Sequence, residues 1–328
     1  MATTRNWRQA MKAAIRDPDE LCRIVGLDAR WREPARRAAA QFPVFAPLEF
    51  LARVVPGDPF DPLLRQVLPL AEETIEVAGF SSDPVGDGPA RREAGLLQKY
   101  SGRALLITTG ACAVHCRYCF RRHYPYDETP RSLDAWAPTL ARLADDPTIE
   151  EILLSGGDPL TLVDDQLAAL ASQLAAIPHL RRLRLHTRLP IVIPQRVDDA
   201  LIGWLRSTRL APIMVVHANH PSEIDDAVAD ALGKLVDAGI PVLNQAVLLR
   251  GVNDNVETLA ELSRRLVNLR VLPYYLHQLD RVAGAAHFEV PANVGRALLE
   301  ELEARLPGYA VPRYVQEIPG AASKTRLL

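Results

Sequence analysis

The sequence is poor in lysine, in aromatic residues and in net charge. These shortages narrow, in turn, the candidate amine nucleophiles, the fold classes and the binding partners. Aromatic residues make up only 6% of the 328 residues, which argues against a β-sandwich dominated by aromatic cross-strand pairs. The formal net charge of −2 gives no overall attraction to nucleic acid or to an anionic membrane, so we expect neither as a partner. A reaction that needs an amine nucleophile has four candidates, Lys12, Lys99, Lys234 and Lys324.

Long apolar runs are also missing. No segment approaches the roughly 20 apolar residues that a membrane helix needs. Residues 1–16 lack the apolar core of a secretory signal peptide. With 48% hydrophobic residues the chain can nevertheless bury a large core. The sequence therefore predicts a folded cytoplasmic protein.

The chain divides into three parts of different character. Residues 1–98 contain helical patterns at 19–25 and 33–41, interrupted by proline-containing turns. Residues 99–310 alternate β-rich and helical patterns, and residues 311–328 form a C-terminal segment. We therefore predict an N-terminal helical region, a central α/β domain and a short C-terminal segment.

The central part contains six short β-rich runs, each followed by a helical pattern. The runs lie at 104–109, 151–155, 183–187, 212–217, 242–249 and 271–276. Successive βα units predict a parallel sheet with crossover helices. Six units are too few to close an eight-stranded barrel. The predicted fold class is therefore α/β, a partial (β/α)6 TIM-like barrel with an N-terminal helical region.

Capping residues predict where several helices begin and end. Ser132, Asp164 and Asn293 stand at the start of helical patterns, where a side-chain oxygen can accept hydrogen bonds from backbone N–H groups. Gly239, followed by Pro241, is expected to end another helix. In parallel α/β sheets the reactive groups lie at the carboxyl ends of the strands. We expect the polar motifs that follow the predicted strands to meet there.

Three of the four cysteines lie within eight positions, in the segment Cys112-Ala-Val-His-Cys116-Arg-Tyr-Cys119, which follows the first predicted barrel strand. This distribution does not suit a disulfide framework. Three thiolates on one loop can bind three irons of a [4Fe–4S] cluster and leave the fourth iron open to a small molecule. The spacing therefore favours an open iron–sulfur cluster.

Two other interpretations of the cysteine segment fit less well. A structural zinc site would use His115 or His123 as the fourth ligand, but such sites usually pair two ligand units across a spacer. No second pair is present, and Cys22 is isolated upstream. Inert buried thiols fit poorly with the basic residues that flank the segment.

The cysteine segment and a second motif together resemble the radical S-adenosylmethionine (SAM) superfamily. The first motif has the form C-x3-C-x-aromatic-C, with Tyr118 as the aromatic residue. The second motif, Ser155-Gly-Gly-Asp-Pro159, comes at the end of the next predicted strand. On its own it would be interpreted as an ordinary glycine-rich turn. The resemblance implies that the residues of the second motif contact SAM, namely Ser155, Gly156, Gly157 and Asp158.

Further stretches resemble the lysine 2,3-aminomutase family in particular. They lie at 119–122, 154–158, 187–190, 216–221, 244–254, 273–275 and 319–324. The resemblance implies an isomerase that moves the amino group of lysine from carbon 2 to carbon 3 and gives β-lysine. It implies three cofactors, a [4Fe–4S] cluster, SAM and pyridoxal 5′-phosphate (PLP).

The resemblance assigns a PLP site to the C-terminal segment. Lys324 aligns with the lysine that binds PLP as a Schiff base, although Ala321 and Ala322 replace glycines of the family. The C-terminal segment must then fold back over the barrel. Tyr100 and Arg103 are expected near PLP, with Arg103 pairing its phosphate. Without the resemblance, all three would be interpreted as surface residues.

The resemblance also assigns the substrate contacts. Arg121 corresponds to the arginine that binds the substrate carboxylate, which a guanidinium can do through two parallel hydrogen bonds. Asp280 and Glu317 correspond to two acids that bind the ε-ammonium group of lysine. Taken alone, each would be interpreted as a solvated surface carboxylate. Glu317 is an aspartate in the fermentative aminomutases, so its longer side chain is expected to move the ammonium position.

One departure separates this sequence from the fermentative enzymes. Their additional cysteines bind zinc between subunits, whereas Asn255 occupies one such position here and the sequence stops at Leu328. We therefore expect no bound zinc. Whether the protein forms a homo-oligomer is left open by the sequence. The short form resembles family members that supply (R)-β-lysine for modification of elongation factor P. The resemblance does not specify whether the enzyme contacts elongation factor P directly.

Two alternatives to a lysine enzyme stay open. An aminomutase for arginine or glutamate would keep the chemistry and change the substrate. Two acids at the side-chain end of the site disfavour glutamate. A non-catalytic iron–sulfur sensor would bind iron without PLP, and it would need neither the second motif nor Lys324.

Overall fold

The computed structural model describes residues 5–328, and its N-terminal part consists of short helices. They are α1 (Trp7–Ala13), α2 (Pro18–Ile24), α3 (Arg32–Gln41), α4 (Leu48–Leu51) and α5 (Asp87–Ala90). The helices predicted at 19–25 and 33–41 are thereby confirmed to within a residue. One buried hydrophobic cluster includes Leu21 and Phe50 of this part and Leu106 and Leu185 of the barrel. The N-terminal helices are therefore packed against the barrel as part of a common core.

One sheet of ten strands forms the centre of the molecule. Its strands are β1 (Arg91–Glu93), β2 (Leu96–Leu97), β3 (Arg103–Thr109), β4 (Glu151–Gly156), β5 (Arg182–Thr187), β6 (Ala211–His217), β7 (Val242–Val247), β8 (Leu272–His277), β9 (Arg313–Gln316) and β10 (Thr325–Arg326). The strands lie side by side in chain order. Strands β3 to β9 are parallel, and β1, β2 and β10 are antiparallel to their neighbours. Within residues 5–328, β1 and β10 form the two edges, so the barrel stays open.

Six helices connect the parallel strands and cover the outside of the sheet. The helices of this part are α6 (Ala137–Asp145), α7 (Asp164–Ala175), α8 (Leu189–Val192), α9 (Asp199–Ser207), α10 (Asp226–Asp237), α11 (Val256–Asn268) and α12 (Ala292–Arg305). All but the single-turn α8 are crossover helices of βα units. The predicted partial (β/α)6 barrel is confirmed. Among residues 5–328, the helices are too short or too polar to cross a lipid bilayer.

The sheet contains one parallel strand more than the sequence predicts. Strand β9 follows α12 and pairs with β8. It has only four residues and begins and ends with polar side chains, so its pattern is too short to indicate a strand. The sheet also continues across residues 98 and 310, because β2 pairs with β3 and β9 pairs with β8. The division of the chain at those residues stays a sequence prediction.

Three of the predicted helix caps are wrong, and tertiary contacts explain one of them. Asp164 is the first residue of α7, and its carboxylate accepts hydrogen bonds from Arg196 (2.8 Å) and Trp204 (3.0 Å) instead of capping the helix. Asn293 lies inside the first turn of α12, which follows Pro291. Ser132 accepts a hydrogen bond from the N–H group of Ala135 (3.3 Å), but it precedes Leu133, the N-cap of a short 3-10 turn, and α6 itself begins at Ala137.

Gly239 ends α10, as predicted. Its φ of +80° lies in the left-handed region that favours glycine. Asn255 caps α11. Its side-chain oxygen accepts a hydrogen bond from the N–H group of Thr258 (2.8 Å).

Candidate active site

The inner face of the open barrel encloses a cavity of about 730 Å³. This volume lies within the range of roughly 300–1,000 Å³ that is typical of small-molecule sites. Every site residue predicted from the sequence lines it: Tyr100, Arg103, Cys112, Cys116, Cys119, Arg121, Ser155, Gly156, Gly157, Asp158, Asp280, Glu317 and Lys324. The structure thus brings together residues that lie more than 200 positions apart, while their individual roles stay predictions.

The cavity extends along the whole barrel and is not confined to the carboxyl ends of the strands. The cysteine segment follows the carboxyl end of β3, whereas Arg103 is the first residue of that strand. Arg313, the first residue of β9, also lines the cavity. The polar motifs that follow β3 and β4 line the cavity at the carboxyl ends of the strands, and Arg103 and Arg313 line it at the strand starts.

The C-terminal segment folds back onto the barrel and carries Lys324 into the cavity. Strand β10 pairs antiparallel with β9, with Thr325 opposite Gln316. This pairing places Lys324 beside Glu317, and the Nζ atom of Lys324 donates a hydrogen bond to Glu317 Oε2 (2.5 Å). The Nζ atom also lies 6.0 Å from the centre of the Tyr275 ring. A short hairpin is thus what positions the only lysine of the C-terminal segment.

Side chains of alternating charge run along one wall of the cavity, and we call them the charge chain. Arg121 donates to Asp87 (2.7 Å), and Lys99 also pairs with Asp87 (2.8 Å). Lys99 lies 3.6 Å from Glu317, which binds Lys324. Asp87 and Lys99 were not predicted as site residues. Asp87 lies in a glycine- and proline-rich segment, where an acid is ordinarily solvated, so no local pattern indicates its role.

The charge chain fixes the ionisation of its acids. Burial alone would raise the pKa of Asp87, but Arg121 and Lys99 hold it below its ordinary value. Burial opposes ionisation of Glu317 too, and Lys324 with Tyr100 lowers its pKa overall. The hydroxyl of Tyr100 donates to Glu317 Oε1 (2.6 Å). Both acids are therefore held as carboxylates.

Asp280 differs from the acids of the charge chain. Among residues 5–328 its carboxylate forms no side-chain hydrogen bond and no ion pair. Burial raises its pKa to about 7, and the nearby Glu317 acts in the same direction, while the positive charges of Lys324 and Lys99 oppose the rise. A carboxylate in this state gains most from a cation placed beside it. Asp280 is thus an acid of the cavity whose carboxylate makes no direct contact with a side-chain donor among the described residues.

The two glycines after β4 allow close contact with the cysteine segment. A Cβ atom on Gly157 would lie 2.2 Å from the carbonyl oxygen of Ala111, and one on Gly156 would lie 2.7 Å from that of Thr109. The N–H group of Gly157 donates to Thr109 (2.8 Å). The glycines are therefore required by the protein's own backbone, in addition to any approach of a ligand. This second requirement was not foreseen from the sequence.

Asp158 ties this loop to the end of β5. Its two carboxylate oxygens accept hydrogen bonds from the hydroxyl of Thr187 (2.7 Å) and from the N–H groups of Arg188 (2.7 Å), Leu160 (3.0 Å) and Leu189 (3.2 Å). The carboxylate is thus fully used by the protein, so Asp158 acts here by positioning the chain. The hydroxyl of Ser155, by contrast, has only a long contact from the guanidinium of Arg121 (3.4 Å) among the described residues.

A buried polar network holds the cysteine segment from the other side. The guanidinium of Arg188 donates to Cys116 Sγ (2.8 Å), Gln66 Oε1 (2.5 Å) and Glu223 Oε2 (2.9 Å). The backbone N–H group of Arg117, in the middle of the segment, donates a hydrogen bond to the backbone carbonyl oxygen of Gln66 (2.9 Å). Arg188 and Glu223 lie in or next to stretches that resemble the aminomutases, but no role was predicted for them. Gln66 carries no recognisable signal.

The thiols and their surroundings suit an iron–sulfur cluster and a polar ligand. Burial raises the pKa of Cys112, and burial with the neighbouring Cys116 raises that of Cys119 to about 11. Such thiols are stabilised as thiolates by binding a cationic metal centre. Among residues 5–328, no group of three or more His, Cys, Asp or Glu side chains is arranged to bind a single metal ion. Buried nitrogen atoms of His186 and Arg188 in the cavity have no hydrogen-bond partner in that part of the chain.

Comparison with known proteins agrees with this geometry. The family description "Radical SAM superfamily" matches residues 106–202, which include the three cysteines and the glycine motif. The chain is 46% identical over 323 residues to an L-lysine 2,3-aminomutase of Escherichia coli K12, covering 98% of this chain and 94% of the relative. It is 43% identical to that of Haemophilus influenzae (98% and 95% covered) and 33% identical to that of Clostridium subterminale (98% and 78% covered).

The fold and the cysteine site therefore define a radical SAM protein. Within that superfamily the chain belongs to the lysine 2,3-aminomutase family, whose members are isomerases. Membership implies a [4Fe–4S] cluster, SAM and PLP as cofactors. The three thiols, the two buried nitrogen atoms without partners and the amine of Lys324 fit these groups within one cavity.

Proposed function

We propose that this protein converts L-lysine to β-lysine. The observation that carries the proposal is the convergence, in one cavity, of three cysteine thiols, the amine of Lys324 and the unpaired acid Asp280. When bound, the cluster with SAM supplies a carbon radical, and PLP supplies a π-system that stabilises the migrating centre. The protein supplies binding, orientation and the exclusion of water.

Arg121 has the geometry to bind the substrate carboxylate. Its Nε atom is used by Asp87 and its Nη1 atom has a long contact with Ser155, whereas Nη2 makes no hydrogen bond among the described residues. The Asp87 contact fixes the plane of the guanidinium, and the remaining edge lines the cavity. A carboxylate of an amino acid can therefore be held in one orientation.

Asp280 and Glu317 would bind the side-chain ammonium of lysine. Glu317 is engaged with Lys324 in this structure, so it becomes available only after the Lys324 ammonium leaves it. Asp280 needs no such release. Binding of PLP through Lys324 would therefore prepare Glu317 for the substrate, and Asp280 would supply the first contact with the cation. An acidic substrate side chain would be repelled by both groups.

The test is anaerobic reconstitution with iron, sulfide, SAM and PLP, followed by assay of β-amino acids from lysine, arginine and glutamate. β-Lysine as the main product supports the proposal. Cys116→Ala should abolish both the cluster absorbance and turnover, whereas Lys324→Ala should keep the cluster and lose the PLP absorbance. The matched control is Lys234→Ala, because Lys234 is an exposed lysine on α10. This variant should keep the cluster absorbance, the PLP absorbance and turnover. Retained PLP absorbance in Lys324→Ala would contradict the assignment.

We further propose that the product is (R)-β-lysine for modification of elongation factor P. Support comes from Asn255, which caps a helix where the fermentative enzymes have a zinc-binding cysteine. The four free cysteines suit a reducing compartment, so the proposal includes the cytoplasm. Chiral chromatography of the product tests the configuration, and (S)-β-lysine would contradict the link.

A further inference from the structure

A second, smaller pocket lies on the outer side of the cysteine segment. Its volume is about 250 Å³, and its lining includes Lys12, Arg16, Phe45, Cys112 and His115. Cys112 and His115 also line the active-site cavity. These two residues therefore form the wall between the outer pocket and the cavity. Of the three cysteines of the segment, Cys112 lines the outer pocket, whereas Cys116 and Cys119 line the cavity alone.

Two basic residues, Lys12 and Arg16, line the outer pocket, and they belong to a basic segment of the chain. The described segment 5–16 contains Arg5, Arg8, Lys12 and Arg16 and no acidic residue, and all four basic side chains are exposed. None of the four forms a salt bridge with another described residue. We call these four residues the outer basic patch. It stands out on a chain whose formal net charge is −2.

The outer basic patch is held in place by contacts of its own. The guanidinium of Arg16 donates to the carbonyl groups of Lys12 (3.2 Å) and Ala14 (3.1 Å), and it lies 4.7 Å from the centre of the Phe45 ring. Phe45 in turn accepts a hydrogen bond at its carbonyl from the N–H group of His115 (2.9 Å). The positive charge is therefore fixed relative to the wall that carries Cys112.

We propose that the outer basic patch docks an acidic one-electron carrier protein that reduces the cluster. A radical SAM cluster must receive one electron before it can act, and electron transfer slows steeply with distance. The wall at Cys112 offers a short path, and the inner cavity is reserved for SAM, PLP and substrate. The reduced centre of the carrier loses one electron, the cluster changes from the 2+ to the 1+ state, and no bond or proton is transferred.

The charge on the rim supplies the attraction. Opposite charges on two proteins steer their encounter, and this raises the association rate by about 10- to 1,000-fold at low salt. An anionic membrane or a nucleic acid would also be attracted to basic residues. Neither would account for a pocket whose inner wall is a cluster thiol. The position of the thiol therefore favours an electron carrier.

The experiment measures reduction of the reconstituted cluster, so it does not depend on aminomutase activity. Flavodoxin in its hydroquinone form is the probe, and stopped-flow absorbance with electron paramagnetic resonance follows the cluster. Lys12→Glu/Arg16→Glu should lower the second-order rate by about tenfold or more at low ionic strength. Arg8→Glu/Lys12→Glu, which keeps the Arg16–Phe45 contact, should act in the same direction. The extent of reduction by dithionite should stay unchanged in both, which shows that the cluster is intact.

The matched control is Arg264→Glu/Arg296→Glu, which makes the same charge change on α11 and α12, where both side chains are exposed. It should reduce at the rate of the unchanged protein. An unchanged flavodoxin rate in the patch variants would overturn the proposal, and a patch that serves nucleic acid or lipid would give that result. An equal loss in the control would also overturn it, because the effect would then be one of overall charge.

Discussion

The two ends of the cavity are built in different ways. The thiol end comes from continuous segments, the cysteine segment at 112–119 and the glycine motif at 155–158. The charged end is assembled from side chains that are far apart in the sequence, from Asp87 to Lys324. A local motif can specify a metal cluster because its ligands share one loop. A chain of ion pairs exists only after the sheet has brought its members together.

The two ends also differ in how much redundancy they contain. Among the described residues, Arg188 at the thiol end has one partner of opposite charge, Glu223, and both side chains are almost fully buried. At the charged end, Glu317 has two partners of opposite charge, Lys324 and Lys99, and it also accepts a hydrogen bond from Tyr100. Removal of one member should therefore be more damaging at the thiol end. Mutations at each end test this difference.

The largest effect is expected for Glu223→Ala at the thiol end. The change leaves the buried guanidinium of Arg188 without its counter-charge and also removes the acceptor for the N–H group of Asn219 (2.8 Å). Breaking a buried ion pair from one side costs about 3–5 kcal/mol. The free energy of unfolding of the cluster-free protein, measured anaerobically with urea, should fall by that amount.

The control for this prediction is Glu261→Ala. Glu261 pairs with Arg265 at 3.0 Å on the surface of α11, where both side chains are 45% exposed. An exposed pair of this kind contributes only about 0.3–0.5 kcal/mol. Equal losses in the two variants would show that the polar network at the thiol end does not depend on its buried charge.

The next largest effect is expected for Asp87→Asn at the charged end. The variant keeps the shape of the side chain but removes the charge that orients Arg121 and pairs with Lys99. A charged hydrogen bond contributes about 1.5–3 kcal/mol, so KM for lysine should rise by about tenfold or more. Steady-state kinetics measure this. Asp127→Asn, an exposed acid outside the cavity, should leave KM unchanged.

The contrast between the thiol end and the charged end also explains which strands and site residues can be predicted from the sequence. Six of the parallel strands and the three clustered cysteines have short-range signals, and the structure forms these six strands and places the cysteines on the loop after β3. Lys324 and Glu317 could be found only through family resemblance, because a charged residue near a chain end is ordinarily solvated. Strand β9 is too short to be recognised, and Asp164 is drawn away from its helix end by Arg196.

Some site residues could not have been found by any local reasoning. Lys99 becomes a site residue only because Asp87 and Glu317 lie on either side of it in the fold. Gln66 matters because its side chain reaches Arg188, which is more than 100 positions away. Their importance comes from tertiary contacts, which a linear pattern does not contain.

The pH dependence of lysine binding sharpens the comparison, because Asp280 is the unpaired acid of the charged end. Its pKa of about 7 means that it is largely protonated in acid and becomes a carboxylate as pH rises through that value. Because only the carboxylate attracts an ammonium group, KM for lysine should fall as pH rises through about 7. Asp280→Asn should remove this dependence. A pH profile that is the same in the variant would contradict the assignment of Asp280.

The same shift has a consequence for stability. The folded protein binds a proton at Asp280 more tightly than the unfolded chain, whose ordinary value is 3.8. The contribution of Asp280 to stability therefore falls as pH rises from about that value to about 7. Urea unfolding across this interval should show a shallower decline in Asp280→Asn than in the unchanged protein.

The smallest effect is expected for Tyr100→Phe. The change removes one of three contacts to Glu317 and keeps the ring that stacks 4.6 Å from the guanidinium of Arg103. Loss of a single hydrogen bond costs about 0.5–1.5 kcal/mol, and Lys324 and Lys99 still hold the carboxylate. KM for lysine should therefore rise by no more than about tenfold. A loss as large as that of Asp87→Asn would mean that Glu317 depends on Tyr100 above its two lysines, and that the charged end has no redundancy.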